Sequence, residues 1–335
     1  VRAEQDEPPT AEDLERALSR LHRQFARDGD PSTGTAVVSL HAEHAERLAG
    51  TSAARTRLPE PPGSTRTDTL PEVAPGELTV AVVERALVEH GALIVRGLVP
   101  EEHRRRLIED IDRGLDAQIE YVHGSGELTD PSHFHPHPAP PEVAAVRAWA
   151  IENGAVMLPD SPSLLVDTLR MLRDTGITEL ARDFLGAEPV TTMTKSAGRR
   201  IAAGTGICWH QDGGFLGIDH VVLNLWTTLT PCGPGRAPGL ELVPRRFRDV
   251  VPPRPDAQFG WSVGDSLPDG VDWETVDPVL DAGDAIVFDQ LLLHRTGRGD
   301  GTTAQRYGTE TWMFGAGSVP DHEYLPISTS LGSGD

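Results

Sequence analysis

The sequence predicts an α+β chain, mainly β, in which flanking helices precede an all-β half of the jelly-roll or barrel kind. Two observations carry this. Apolar residues recur at helical spacing up to about residue 185. Beyond that point, short runs rich in Val, Ile, Leu, Thr and Trp are divided by Gly and Pro, as strands of an all-β unit are. The length, 335 residues, allows one large domain or two modest ones and a sizeable core.

The elements follow in order. Residues 1 to about 75 read as a loosely built arm with one helix, from Thr10 through Leu14, Leu18 and Leu21 to Phe25, with Asp13 completing a capping pattern. The Pro/Ser/Thr-rich stretch "LPEPPGSTRTDTLPEVAPG" reads as a linker, so the arm is assigned to residues 1–77 and the functional domain to 78–335. "LTVAVVERALVEHG" is helical and stops at Gly91; "ALIVRGLV" is a buried strand; Pro100 opens a helix with Leu107, Ile108, Ile111 and Leu115 on one face. Residues 121–160 read as an irregular, lid-like loop carrying His133, His135 and His137, which lack a carboxylate or cysteine at metal-ligand spacing. Helices follow from Ser163 to Thr175 and from Thr178 to Leu185. The strands are "PVTTMTKS", "RIAAGTGICWH", "HVVLNLWTTLTP", "GLELVP", "GDAIVFD", "LLLHRT" and "QRYGTETWMF", with a second loop-like insertion at 245–275.

Composition excludes some functions. A net charge of −21 argues against nucleic acid and anionic membrane surfaces, which require a basic footprint. No apolar run approaches a membrane span. Two cysteines, Cys208 and Cys232, make a disulfide framework improbable and a reducing cytoplasm the expected setting; Cys208 reads as a small buried residue. Among many arginines stands a single lysine, Lys195. Oligomeric state is left open.

The chemistry concentrates in "ICWHQDGGF". In an extended chain residues i and i+2 project from one face, about 6.5–7 Å apart. His210 and Asp212 therefore converge on one ion while Gln211 points away, and Gly213-Gly214 turns the backbone. "GDAIVFDQLLLHRTGRG" places His294 at the end of another strand. Two histidines and one carboxylate on one face of a metal leave three positions open, the arrangement of non-haem Fe(II) oxygenases.

On "WHQDGGF", "NLWTTLTPCGPGRAPGLELVP", "GDAIVFDQLLLHRTG" and "QRYGTETWMF", in that order, the chain resembles the phytanoyl-CoA dioxygenase family of Fe(II)/2-oxoglutarate oxygenases. The helix-strand-helix "VERALVEHGALIVRGLVPEEHRRRL" adds to the likeness, which runs from about Leu78 to Phe314 and omits the arm. The resemblance implies a double-stranded β-helix of cupin-like kind, Fe(II), 2-oxoglutarate and O2, and His210, Asp212 and His294 as iron ligands. It implies Arg306 as the clamp on the distal carboxylate of 2-oxoglutarate, for which a planar guanidinium is suited, and Thr296 as an assisting hydroxyl. Arg298 is the competing arginine. Trp226 and Asn224 share a strand face, and Trp226 is equally readable as a cosubstrate wall or as core. Lys195 is read as meeting a cosubstrate or substrate carboxylate. Phe215 and Gln211 are assigned to the substrate side. The family's small residue and histidine after "LELVP" are replaced by Arg245-Arg246-Phe247, which touches substrate identity only.

The activity implied is hydroxylation of an unactivated C–H bond in a small specialised metabolite, with release of succinate and CO2. Desaturation or cyclisation by the same oxidant stands as an alternative, and a free fatty or acyl-thioester substrate stands behind the metabolite. Halogenation is excluded because it needs a small residue where Asp212 stands. A non-catalytic jelly-roll binding protein would lack a ligand or the arginine. A cupin-type metal enzyme would lack Arg306 and Thr296.

Overall fold

The segment up to residue 48 departs from the expected arm by one helix. Helix α1 (Ala11–Asp28) starts where the sequence places it, with the Asp13 N–H donating to Thr10 Oγ1 at 3.2 Å and the Thr10 N–H to Asp13 Oδ2 at 3.0 Å. It ends at Gly29 in the left-handed region, and a second helix, α2 (Pro31–Leu48), folds back on it, capped by Asp30. The sequence reading missed α2 because its buried face mixes His41 and His44 with Val37, Val38 and Leu48 and so breaks the aliphatic stripe. His22 and His41 meet at 2.8 Å between Nε2 atoms, and His41 and His44 both bond Ser328 Oγ, at 2.9 and 3.0 Å. The hairpin is thereby fixed to the far end of the chain. The computed structural model describes residues 8–51, 53–59, 69–124, 126–204, 206–257, 259–268, 273–297 and 304–331. Most of the Pro-rich linker, and Arg298, lie outside the described residues.

After the linker come β1 (Glu72–Val73), α3 (Val80–His90), β2 (Ala92–Val95) and α4 (Glu101–His123). Residues 121–160 are not one irregular loop. Helix α4 runs into them, and α5 (Pro141–Glu152) and β3 (Ala155–Met157) follow. The run of prolines and histidines hid α5, which begins at Pro141, a favoured first helical position. Helices α6 (Pro162–Asp174) and α7 (Ile177–Leu185) lie close to their predicted spans, and Gly186 ends α7 at φ 69°.

The remaining strands are β4 (Pro189–Thr191), β5 (Ser196–Ile201), β6 (Val222–Thr228), β7 (Leu240–Leu242), β8 (Ala285–Phe288), β9 (His294–Thr296), β10 (Arg306–Gly315) and β11 (Ile327–Ser328), with a short helix, α8 (Gly213–Leu216), between β5 and β6. Nine strands form one mixed sheet in the order β1-β2-β8-β6-β10-β4-β11, with β5 pairing β10 and β3; only β1–β2 is parallel. Strands β7 and β9 form a second, two-stranded sheet.

Alternation along β6 explains how the sheet is covered on both faces. Leu223 and Leu225 join Leu87 of α3, Leu107 and Ile111 of α4, and Leu164 of α6 in the largest core. Trp226 points the other way, into a second core with Ile286 and Phe288 of β8 and Leu240 and Leu242 of β7. The two sheets thus share an apolar interior. Among the described residues no helix is long and apolar enough to cross a membrane.

Candidate metal centre and adjoining cavity

His210 and His294 are brought together by backbone pairing. Each N–H donates to the other's carbonyl at 2.9 Å, so the two residues stand directly opposite and their rings share a face, with centroids 4.2 Å apart. Each ring also donates from Nδ1 to the carbonyl two residues earlier, His210 to Cys208 at 2.8 Å and His294 to Leu292 at 3.1 Å. A carbonyl only accepts, so the proton sits on Nδ1 and the Nε2 lone pairs are left for another partner. Cys208 contributes this carbonyl rather than its thiol.

Asp212 completes the group. Its Oδ1 lies 3.6 Å from His210 Nε2 and 3.9 Å from His294 Nε2, and the three ligand atoms all fall within 4.8 Å of one another. The extended spacing expected for His-x-Asp is not how this happens. Asp212 has helical angles, φ −62° and ψ −27°, because the chain turns into α8 at that residue. Neither following glycine has positive φ. They are needed for closeness instead: a Cβ on Gly214 would lie 2.9 Å from the Trp261 carbonyl oxygen, and one on Gly213 3.2 Å from that of Gln290.

The three groups fit a divalent cation. All are buried, and Asp212 Oδ1 has no hydrogen-bond donor. Burial, then neighbouring Glu310, pushes the Asp212 carboxyl well above its ordinary range, against the pull of Lys195 and of nearby Asn224, whose own amide atoms reach no partner at hydrogen-bonding geometry. Burial and then His294 push His210 well below the ordinary imidazole value, and burial lowers His294, so both rings are neutral. Two neutral imidazoles converging with a buried carboxyl group are a donor set that fits a divalent cation. Among the described residues this is the one His/Cys/Asp/Glu group with such geometry. His133 instead lies between Asp110 (3.3 Å) and Asp130 (3.0 Å), one at each ring nitrogen.

Arg306 stands at the start of β10, 4% exposed, its guanidinium 4.4 Å above the Trp226 ring. Its Nε has no hydrogen-bond partner and no carboxylate pairs with it among the described residues. Burial lowers its pKa to about 10. A buried cation without an anion is costly unless a ligand provides one, so the site fits a carboxylate and does not fit an ordinary surface ion pair. Thr296 Oγ1 accepts from the Ile207 N–H at 3.1 Å, which leaves its own proton to donate.

A cavity of about 410 Å³ opens beside His210. Phe215 is in its wall, stacked 5.3 Å from Trp312. Helix α5 contributes Trp149, and the 245–275 insertion contributes Phe259 and Trp261, stacked at 4.7 Å. Lys195 also lines it, 3.0 Å from Glu323 and 4.6 Å from the Phe215 ring centroid. Gln211 does not. Its Oε1 accepts from the Val251 N–H at 2.6 Å and its Nε2 donates to the Leu291 carbonyl at 2.7 Å, so it clamps two loops and is unavailable to a substrate. Arg245 packs over Phe247 and Trp273, and Arg246 bonds Asp289; neither lines the cavity. The sequence reading missed Arg199 and Glu310, a pair 3.1 Å apart in the wall. Alternation along β10 from Arg306 through Gly308 to Glu310 and Trp312 was the available signal.

A family model described as phytanoyl-CoA dioxygenase (PhyH) matches residues 87–305. No curated protein matches the sequence. Among solved structures, the epimerase SnoN in complex with Fe3+, alpha ketoglutarate and nogalamycin RO is similar at 16% identity and TM-score 0.48, over 71% of this chain and 84% of that one. The carbocyclase SnoK from nogalamycin biosynthesis is similar at 16% identity and TM-score 0.48, over 74% and 88%. EctD from S. alaskensis is similar at 16% identity and TM-score 0.47, over 84% and 89%.

Proposed function

The chain belongs to the phytanoyl-CoA dioxygenase family, and on that premise we propose that it hydroxylates an unactivated C–H bond of a small specialised metabolite, releasing succinate and CO2. It is a 2-oxoglutarate-dependent non-haem iron dioxygenase that works with Fe(II), 2-oxoglutarate and O2 on small molecules. In this reading the facing sheets are a double-stranded β-helix, residues 78–335 are the catalytic domain and 1–77 an added arm, acting in the cytoplasm.

His210, Asp212 and His294 hold the iron. The bound metal supplies the redox chemistry that couples decarboxylation of 2-oxoglutarate to C–H oxidation. The chain's own residues do the rest. The Nδ1–H bonds to the Cys208 and Leu292 carbonyls fix both imidazoles in the ligating tautomer and orientation. Arg306 grips the distal carboxylate of 2-oxoglutarate over the face of Trp226, with Thr296 as a further donor and Asn224 beside the carboxylate ligand. Phe215 and the aromatic walls exclude water from the reacting carbon. Lys195, held by Glu323, is placed on the substrate side of this cavity rather than beside Arg306.

The observation that carries this reading is the orphaned Asp212 Oδ1 facing two Nε2 atoms inside the protein. Purified protein given Fe(II), ascorbate and 2-oxoglutarate is expected to release succinate, and Asp212→Ala to release none above background. Absence of succinate from wild-type protein, or its persistence in the variant, would refute the assignment.

A further inference from the structure

The wall of the cavity carries two cations and two carboxylates, arranged as pairs. Arg199 and Glu310 meet at 3.1 Å, Lys195 and Glu323 at 3.0 Å. Strand register sets the first pair: Arg199 lies opposite Gly308, and Glu310 opposite Ala197 on one side and Trp226 on the other. It therefore stands on the sheet face that also bears Arg306, next to the metal group. Much of the rest of the wall is aromatic, with Val146 and Ile207 among the smaller apolar residues.

The two pairs differ in how they are held: Glu323 also accepts from Thr192 and Thr194, each at 2.8 Å. Arg199 reaches Glu310 through Nη2, while its buried Nε has no hydrogen-bond partner among the described residues. The bridge engages Glu310 through Oε2. The pair thus presents a guanidinium and a carboxylate, side by side, to a chamber with a largely apolar wall. A ligand with a single charge is poorly served there. A lone carboxylate on Arg199 faces Glu310, and a lone ammonium on Glu310 faces Arg199; like charges so placed are a means of rejection. A ligand with both charges gives each wall group a second opposite neighbour and leaves no charge bare. The paired wall sums to zero, which matches a ligand of zero net charge and disfavours a polyanionic acyl thioester.

Resting on the oxygenase reading above, we infer that the substrate is a zwitterion of amino-acid type, its ammonium and carboxylate held by Glu310 and Arg199 and its apolar or aromatic body held among Trp149, Phe215, Phe259 and Trp261. Arg199 and Glu310 are then specificity-determining residues, and the Lys195–Glu323 pair closes the far wall without adding net charge.

The test is calorimetric binding to full-length protein loaded with Mn(II) and 2-oxoglutarate, so that no turnover is required. The probes are L-leucine, L-phenylalanine and L-tryptophan, each beside its decarboxylated amine and its deaminated acid. At least one amino acid should bind tenfold or more tightly than both of its partners. Glu310→Gln should then shift preference tenfold or more towards the acid, and Arg199→Gln towards the amine; a purely structural pair would not shift preference in opposite directions. The inference is overturned if no amino acid binds, if an acid or amine binds as tightly as its parent, or if both variants shift alike. The wild-type panel decides the matter should either variant not fold. Succinate release from Fe(II)-loaded protein separates the two readings: succinate without zwitterion preference sinks this inference alone, and zwitterion binding without succinate sinks the oxygenase reading.

Discussion

His210 and His294 are a backbone-bonded pair, each residue's N–H on the other's carbonyl at 2.9 Å, although they come from segments far apart in the chain. The two imidazoles of the candidate metal centre are therefore placed by backbone pairing rather than by side-chain packing alone. Substituting either histidine by alanine removes a ligand but no ladder bond. Metal affinity, measured with Mn(II) or Fe(II), should fall by about a hundredfold or more, since loss of an outer-shell partner alone costs 10–100-fold. The melting temperature of the metal-free protein should move little.

Arg306 is a buried cation awaiting an anion. In Arg306→Met the apparent affinity for 2-oxoglutarate should drop by roughly two orders of magnitude, because truncating one partner of a buried charge pair costs 2–5 kcal/mol. Without cosubstrate the same variant should melt no lower than wild type, because the desolvation cost of the guanidinium is gone. A lower melting temperature together with unchanged cosubstrate affinity would contradict the assignment.

Gly214 has no room for a methyl group: the added Cβ would press on the Trp261 carbonyl oxygen at 2.9 Å. Gly214→Ala should destabilise the protein by about 1–3 kcal/mol, the usual cost of overpacking, read as a fall in melting temperature. Because the clash pushes the 261 segment away from α8, affinity for any cavity ligand should weaken more than metal affinity does.

Burial raises the Asp110 carboxyl from 3.8 to about 6, and His133, disfavoured by burial but bonded to Asp110 and Asp130, is raised above 6.5. Both groups bind protons more tightly folded than unfolded. Their contribution to stability is complete below about pH 4 for Asp110 and below 6.5 for His133, and is lost as pH rises through the folded values. In Asp110→Asn the dependence from this carboxyl disappears. Between pH 4 and 7 the melting temperature of wild type minus that of the variant should therefore decline, by an amount equivalent to about 1–3 kcal/mol for a shift of this size. A flat difference would remove this role for the pair.

How much of this was legible in the sequence depended on what kind of signal each part left. The helices α3, α4, α6 and α7 announced themselves by aliphatic stripes, and the strands by alternation and by Gly/Pro punctuation. The candidate metal-binding group was visible because His210 and Asp212 are close in sequence and His294 stands in a strand-like run, although the structure places it at the start of β9 rather than at a strand end. Helix α2 was hidden, since His41 and His44 interrupt its buried face and are held by His22 and Ser328, partners no local pattern reveals. Gln211 was misassigned for a similar reason. Its amide is consumed by Val251 and Leu291 backbone groups, contacts that exist only once the loops are in place. Glu310 looked like an ordinary polar position on an alternating strand, and only the register against β5 discloses Arg199 as its partner.

Phe259 and Trp261 reach the chamber from a segment that supplies none of the three metal-facing side chains. This part of the cavity wall can consequently diverge at a separate rate from the His-Asp-His group. Lineages sharing this scaffold could exchange that one segment and acquire a new diet while inheriting the reactive centre intact, and grafting it between homologues is the direct way for an engineer to do the same.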